Sequence, residues 1–229
     1  SIIMKRKTIF SLLIVFAAVA VFAVPAFAQL GDTDVSSFTV QNVSGGSAEV
    51  TITFVAEDGT MSTPADLGAG VTNPFTLADG ASQQIYVPNV PGLASGRYAV
   101  MISSNAEVAA IASVSGTGST RFTGSYTGFS SGAQKFYLPT FAYNFYGWYS
   151  MISVQNLGTS PADVEVAISC ENGVTGTLTK NDIPSMASHT FALKNITPTG
   201  FSPSTQCIGS AVVNSDQNVV AADSQNKPL

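Results

Sequence analysis

An internal repeat constrains this chain more than any other feature of its sequence. Three segments have similar counterparts in the same order: Val40-Gln41-Asn42 and Val154-Gln155-Asn156, Glu57-Asp58-Gly59 and Glu171-Asn172-Gly173, Ser104-Asn105-Ala106-Glu107-Val108 and Ser215-Asp216-Gln217-Asn218-Val219. Small differences in offset between matches are what loop insertions between fixed strands produce. The sequence therefore predicts two homologous domains of about 100 residues each.

Both repeats have the periodicity of β-strands. Apolar and polar residues alternate from Glu49 to Val55 and again from Asp163 to Ile168, which indicates a strand with one buried face. The dipeptides Asp58-Gly59 and Asn172-Gly173 follow these strands and suit the positive-φ positions of a tight hairpin turn. Further strands are predicted over Gln83 to Val87, Tyr98 to Ser103, Val108 to Val114, Thr190 to Leu193, Ala211 to Asn214 and Val219 to Ala222.

These strands predict an all-β fold of two tandem immunoglobulin-like antiparallel β-sandwich domains, which follow an N-terminal signal peptide. We expect a first repeat over 29–114, a connector rich in Ser, Gly and Thr over 115–135, and a second repeat over 136–229. Phe122, Tyr126 and Phe129 are spaced through that connector, so we expect it to be ordered and extended. A single closed barrel is the alternative fold, and it would make the repeat accidental.

The first 28 residues have the pattern of a signal peptide. Lys5-Arg6-Lys7 precede an apolar run from Ile9 to Val24, and Ala26-Phe27-Ala28 fits the small-x-small site of a signal peptidase. We expect a mature start at Gln29 and interpret residues 1–3 as read-through upstream of Met4. An uncleaved anchor is the alternative, although the run is shorter than the ~20 residues that span a bilayer. The predicted location is secreted or cell-surface, outside the membrane after cleavage.

Export makes a disulfide between Cys170 and Cys207 chemically possible. The first repeat has Ala56 and Gly96 at the corresponding positions, so both thiols occur in one repeat and both are missing from the other. That joint occurrence favours a bonded pair, which would stabilise the fold by about 3–4 kcal/mol in the chain-entropy model. Two unrelated buried thiols are the alternative.

Charge and composition exclude several functions. The chain has 9 Lys and Arg against 14 Asp and Glu, with only 10% charged residues, so it lacks the basic surface that binds nucleic acid or anionic membranes. Its single histidine, His189, is interpreted as a solvent-facing or edge-strand residue. Asp32 and Asp34 match part of a calcium loop, but the other ligand positions are missing.

No catalytic, metal or cofactor site follows from these residues, so we expect a protein that is not an enzyme. One His and two Cys that are expected to be bonded do not make a zinc site, and no serine lies in a nucleophile elbow. Pairs of carboxylates of the glycosidase type stay open, because any two acids could meet in space.

Aromatic residues concentrate between Phe136 and Tyr149. Tyr143, Tyr146, Trp148 and Tyr149 could contact a ligand, since aromatic faces with hydroxyl groups at their edges can hold sugar rings. The alternative is that these rings fill the end of the second sandwich and the seam between the two domains, since large aromatics contribute most through burial.

The second repeat resembles a tandem Ig-like repeat of secreted and surface proteins of bacteria. The similarity rests on an ordered set of short motifs: Tyr137-Leu138-Pro139, Asn144, Tyr146-Gly147-Trp148, Ile152-Ser153-Val154-Gln155-Asn156-Leu157-Gly158, Gly200-Phe201, Gly209-Ser210-Ala211-Val212-Val213 and Val219-Val220-Ala221-Ala222. The first repeat departs from the pattern because no Leu-Pro and Gly-Trp opening stands between Gly31 and Ser37. The resemblance implies extracellular structural or adhesive modules and supplies no catalytic residues.

These observations predict an exported, non-enzymatic structural or adhesive module that acts through protein surfaces or self-association, with no cofactor. One alternative is a carbohydrate-binding module that uses the aromatic cluster to bind polysaccharide. The other is an accessory part of a longer exported hydrolase.

Overall fold

The computed structural model describes residues 20–26, 34–116 and 123–227. Within these ranges the regular elements are β-strands and one turn of 3-10 helix, Val87–Asn89. Every pairing between the strands is antiparallel. The predicted all-β antiparallel architecture is confirmed.

The strands form three sheets. In chain order they are β1 (Ala20–Ala26), β2 (Asp34–Asn42), β3 (Ala48–Ala56), β4 (Met61–Ser62), β5 (Phe75–Leu77), β6 (Ser82–Tyr86), β7 (Tyr98–Ser104), β8 (Val108–Gly116), β9 (Thr123–Thr127), β10 (Ala133–Tyr143), β11 (Tyr149–Asn156), β12 (Ala162–Cys170), β13 (Thr175–Ile183), β14 (Ser188–Ala192) and β15 (Cys207–Asn226). The first sheet has the order β1-β7-β3-β4, with β5 also paired to β3. The second has the order β6-β2-β8-β9.

The first and second sheets enclose one hydrophobic cluster. Alternate residues of β3 are fully buried in it, among them Ile52 and Phe54, as the period-two pattern predicted. Phe38 of β2 contributes from the opposite sheet and meets Phe54 edge to face at 6.3 Å. Burial of these side chains supplies most of the free energy that holds the two sheets together.

The third sheet surrounds a second cluster and depends on one long strand. β15 has 20 residues. Its first half, up to Ser215, pairs with β12, and its second half, from Val219, pairs with β11. β10 pairs mainly with the first half of β15, and the sheet order is β13-β12-β15-β11-β14. One continuous strand therefore joins the two halves of the sheet.

The Val-Gln-Asn motif has the same structural role in both repeats. Asn42 and Asn156 are fully buried, and each side-chain amide donates to two backbone carbonyls. The accepting carbonyls belong to Gly46 and Leu77 for Asn42, and to Ser160 and Ile183 for Asn156. Each Asn Oδ1 also accepts a backbone N–H from two residues ahead. The repeat in sequence thus corresponds to a repeated hydrogen-bond network, while the division into two domains stays a prediction.

The predicted hairpin turns are present. Gly59 and Gly173 have φ of 86° and 83°, a region that glycine enters without steric cost. Their backbone N–H groups donate to the carbonyls of Ala56 and Cys170 at 2.9 and 3.0 Å. Each turn begins at the last residue of a central strand, β3 or β12.

Part of the predicted connector is regular structure. β9 pairs with β8 at the edge of the second sheet, and Phe129 contacts Phe136 edge to face at 5.6 Å. Tyr126 packs against the first cluster, whereas Phe122 lies outside the described residues. Aromatic burial therefore orders a segment whose composition alone is typical of a flexible linker.

The outer face of the first sheet contacts the second repeat. Val55 and Ala99 are fully buried and belong to the cluster of the third sheet, and Met101 packs against it. Arg97 donates from Nη1 to the Thr190 carbonyl at 3.4 Å. The two repeats share a continuous apolar contact as a result.

Residues 20–26, predicted as the end of the signal peptide, form strand β1. All seven residues pair with β7, from Ala20 opposite Ser104 to Ala26 opposite Tyr98. The other residues of the predicted signal peptide, together with Asp32, lie outside the described ranges. Cleavage after Ala28 would remove β1 from the first sheet.

Candidate functional site

The aromatic cluster is organised by a tight turn, and we call residues 143–149 the aromatic hairpin. Phe145 and Trp148 exchange two backbone hydrogen bonds, of 3.2 and 2.9 Å. The two residues between them, Tyr146 and Gly147, have φ of 50° and 81°. Positive φ at both central positions defines a type I′ turn, whose twist matches that of the strands it joins.

Tyr146 stands at the tip of this turn in an unusual conformation. A positive φ is uncommon for a bulky side chain and costs on the order of 1–3 kcal/mol. The side chain of Tyr146 is nevertheless 73% exposed, so no burial of its ring offsets that cost. Backbone strain of this kind clusters at functional sites. The hairpin tip is therefore a candidate contact surface.

Tyr143 belongs to the interior rather than to a ligand surface. It is 4% exposed and meets the rings of Tyr149 and Phe201 edge to face at 5.7 and 5.3 Å. Its hydroxyl lies 3.1 Å from Thr197 Oγ1. These contacts fix the base of the aromatic hairpin to the rest of the second repeat.

Tyr149 also has structural partners. Its hydroxyl donates to Asn144 Oδ1 at 3.0 Å, and Lys194 Nζ lies 5.0 Å from its ring centroid, within the range of a cation–π interaction. Trp148, in contrast, is 41% exposed. Of the four aromatics predicted to contact a ligand, Tyr146 and Trp148 are therefore presented to solvent, and Tyr143 and Tyr149 support them.

Cys170 and Cys207 form the predicted disulfide, with their Cα atoms 5.3 Å apart. The bond connects the last residue of β12 to the first residue of β15. Because both cysteines of the chain are in this bond, neither thiol is available as a nucleophile or a metal ligand.

His189 lies on β14, the edge strand of the third sheet. This is the edge-strand position that the sequence predicted as one of two environments. Its ring meets Phe191 edge to face at 4.8 Å, and Nδ1 lies 3.9 Å from Glu57 Oε1. Burial lowers the pKa of His189, and together with the smaller effect of the Lys180 and Arg97 charges it brings the value to about 4. The imidazole is neutral near pH 7, so its proximity to Glu57 is not an ion pair there.

Asp223 is a buried carboxyl group that sequence reasoning did not single out. Burial raises the pKa of Asp223 to about 7, although a hydrogen bond from the Ser150 hydroxyl at 2.9 Å opposes the rise. Ser150 Oγ in turn accepts the Ala142 N–H at 3.0 Å. With Tyr126 of β9, Asp223 lines a cavity of about 210 Å³ between the two repeats.

The titratable groups described above do not assemble a catalytic set. Asp223 bonds to Ser150, whereas His189 contacts Glu57 and Phe191 on another part of the third sheet. Across residues 20–26, 34–116 and 123–227, no three His, Cys, Asp or Glu side chains come together as metal ligands. In the same ranges no helix is long and apolar enough to cross a membrane.

No protein-family model, curated protein or solved structure matches this chain.

Proposed function

We propose that this chain is an exported structural or adhesive module of the tandem Ig-like type, without enzymatic activity, that acts through protein–protein contacts at or outside the cell surface. The basic and apolar N-terminus supports export. The disulfide supports it independently, since disulfides persist in oxidising compartments and are rare in the cytosol.

The observation that carries the proposal is the outer half of the aromatic hairpin. Tyr146 and Trp148 project from a turn whose base is fixed by Tyr143 and Tyr149, and Tyr137 on neighbouring β10 is 68% exposed. Tyr and Trp are enriched at protein interfaces because each covers a large contact area with few rotatable bonds. A rigid hairpin that exposes them is suited to contact with another protein.

The experiment compares the exported protein with two variants, each of which replaces one exposed tyrosine by asparagine. Tyr146→Asn removes the exposed ring and introduces a residue that tolerates positive φ, so the turn is preserved. Tyr86→Asn removes a ring that is 43% exposed on β6, in the first repeat, away from the hairpin. Sedimentation and retention on the producing cells are measured for each protein.

We expect Tyr146→Asn to weaken self-association or cell retention and Tyr86→Asn to leave both unchanged. A wild-type protein that sediments as a strict monomer, and that the producing cells do not retain, would contradict the proposed function.

Polysaccharide binding is the second candidate, and the exposure of Trp148 favours it. The hairpin offers single rings rather than a flat platform, since Phe145 and Tyr146 meet at an angle of 73°. Trp148 is the single tryptophan of the chain, so its fluorescence reports on ligands at the tip. Emission that does not respond to a panel of cell-wall and plant polysaccharides would rule this candidate out.

A further inference from the structure

The opening motif of the second repeat has a counterpart inside the predicted signal peptide. Phe22-Ala23-Val24-Pro25-Ala26-Phe27 corresponds to Phe136-Tyr137-Leu138-Pro139-Thr140-Phe141, with identical residues at both Phe positions and at Pro. The offset between them is the one that relates Val40-Gln41-Asn42 to Val154-Gln155-Asn156. The first repeat therefore has a version of the Leu-Pro opening, placed before Gln29.

The two segments pair with equivalent strands in the same register. β1 pairs with β7, and the corresponding segment of β10 pairs with the first half of β15. The matched pairs are Phe22 with Ile102 and Phe136 with Val213, and Val24 with Val100 and Leu138 with Ala211. Because the repeat aligns Ser104 of β7 with Ser215 of β15, β1 is the counterpart of β10 in the first repeat.

The predicted cleavage would affect these two strands differently. β10 lies inside the chain and stays with its repeat, whereas β1 lies before the predicted cleavage site after Ala28. Once β1 is removed, β7 becomes the edge of the first sheet, since its other neighbour is β3. An edge strand presents unpaired N–H and C=O groups that can pair with another extended segment.

The position that β1 would leave is enclosed by further strands besides β7. β1 also approaches β8 and β11, so the space it occupies lies between the two repeats. Val100 and Ile102 of β7 are fully buried with β1 in place. Removal of the strand would thus leave a site with a defined direction, a defined register and apolar surroundings.

We propose that the β7 edge, Tyr98–Ser104, is a strand-acceptor site whose occupant is the β1 segment of this chain, Ala20–Ala26. Before processing the segment fills the site in cis, and after processing the site binds the same strand in trans by antiparallel strand addition. The inference rests on the proposed function, because it takes export and cleavage as given and names the surface through which contacts form.

The first test uses the full chain and the register of β1. Val21 lies opposite Ser103, so the double variant Val21→Cys with Ser103→Cys brings two thiols within reach of a disulfide or a short thiol cross-linker. The matched control is Phe22→Cys with Ser103→Cys, in which adjacent strand positions place the thiols on opposite faces of the sheet. We expect cross-linking of the first pair and not of the second. Equal cross-linking of both pairs, or of neither, would overturn the proposal.

The second test uses the exported protein, after mass spectrometry has located its first residue. A synthetic peptide of residues 20–28 is added, and a peptide with Phe22→Asp and Val24→Asp is the control. We expect one peptide to bind per chain and to slow amide exchange in Tyr98–Ser104 by at least about tenfold, with no effect of the control peptide. If the cleaved chain does not unfold cooperatively by itself, recovery of cooperative unfolding with the peptide replaces the exchange measurement. Absence of binding and of recovery would overturn the acceptor site.

The two proposals fail separately in these measurements. A cleaved protein that binds the peptide but stays monomeric, and that the producing cells do not retain, contradicts the proposed function and supports the acceptor site. A protein that self-associates but does not bind the peptide contradicts the acceptor site and supports contacts elsewhere, such as the aromatic hairpin.

Discussion

The two repeats pair their central strands in corresponding order but differ in covalent closure. In the second repeat a disulfide joins β12 to β15, and β10 is continuous with the strands that follow it. In the first repeat Ala56 and Gly96 stand in place of the cysteines, and β1 precedes the predicted cleavage site. All strands of the second repeat therefore lie in one uninterrupted segment of the chain. The first repeat includes a strand, β1, that the predicted cleavage would remove.

The largest expected effect comes from breaking the closure of the second repeat. Replacing both cysteines, Cys170→Ala with Cys207→Ala, should lower the free energy of unfolding by about 3–4 kcal/mol, because the reduced unfolded chain gains loop entropy. Urea unfolding of the purified protein measures the difference. A reducing agent should produce a similar loss in the wild type and none in the double variant; a reductant effect on the variant would contradict this explanation.

The next prediction tests whether the repeats are equivalent where their sequences agree. Asn42→Ala and Asn156→Ala each remove a buried amide that satisfies two carbonyls and one N–H, so each should cost about 2–3 kcal/mol. Gln41→Ala, at an exposed neighbouring position, is the control and should change stability by less than about 0.5 kcal/mol. A cost at only one of the two asparagines would show that the motif has different roles in the two repeats.

Asp223 tests a position where the repeats differ, since the first repeat has the buried Ala112 there. The pKa of Asp223 is raised from 3.8 to about 7 in the folded protein. As the pH rises through this range the unfolded chain loses its proton first, so stability falls and then stays constant above pH 7. Asp223→Asn should remove that fall and raise the unfolding free energy at pH 8 by on the order of 2 kcal/mol. Thermal unfolding at pH 3.5 and pH 8 provides the measurement, and an equal gain at both values would point to a cause other than ionisation.

The smallest expected effect is at His189, which the repeat aligns with Gln83. Its folded pKa of about 4 lies below the ordinary 6.5, so the unfolded chain binds the proton more tightly and stability is lost as the pH falls from 6.5 towards 4. His189→Gln should reduce this loss by less than about 1 kcal/mol, since solvent screens a half-buried group. Melting temperatures at pH 7 and pH 4.5 measure it. A larger loss in the variant would reverse the assigned sign.

Local patterns predicted the central strands and their turns, because alternation in Glu49–Val55 and the Asp-Gly and Asn-Gly pairs act over a few residues. The disulfide followed from a comparison of the two repeats. Sequence reasoning divided β15 into two strands at Ser215, since four polar residues interrupt the apolar pattern, yet pairing with β12 and then β11 keeps the chain extended across them.

Other features depend on contacts that sequence patterns do not contain. The apolar run before Gln29 fits a signal peptide, so sequence reasoning assigned no strand to it and did not detect its correspondence to the β10 segment. The exposure of Tyr146 follows from the type I′ turn and the burial of Tyr143 from its packing on Phe201, although both belong to one aromatic block. Burial of Asp223 depends on β9, which arrives from the connector. An acid directly after the apolar Val219–Ala222 run is the one local signal that could have indicated it.

The disulfide between β12 and β15 has a consequence when the protein is under tension. Its two cysteines are 37 positions apart, and a force applied to the ends of the chain passes through the S–S bond instead of through the residues between them. Those residues can therefore contribute nothing to the length of the stretched molecule, although an extended segment of that size would add ~120 Å. The first repeat has no such limit, so a pulled molecule should lengthen by the full contour of its first repeat and by only part of the contour of its second.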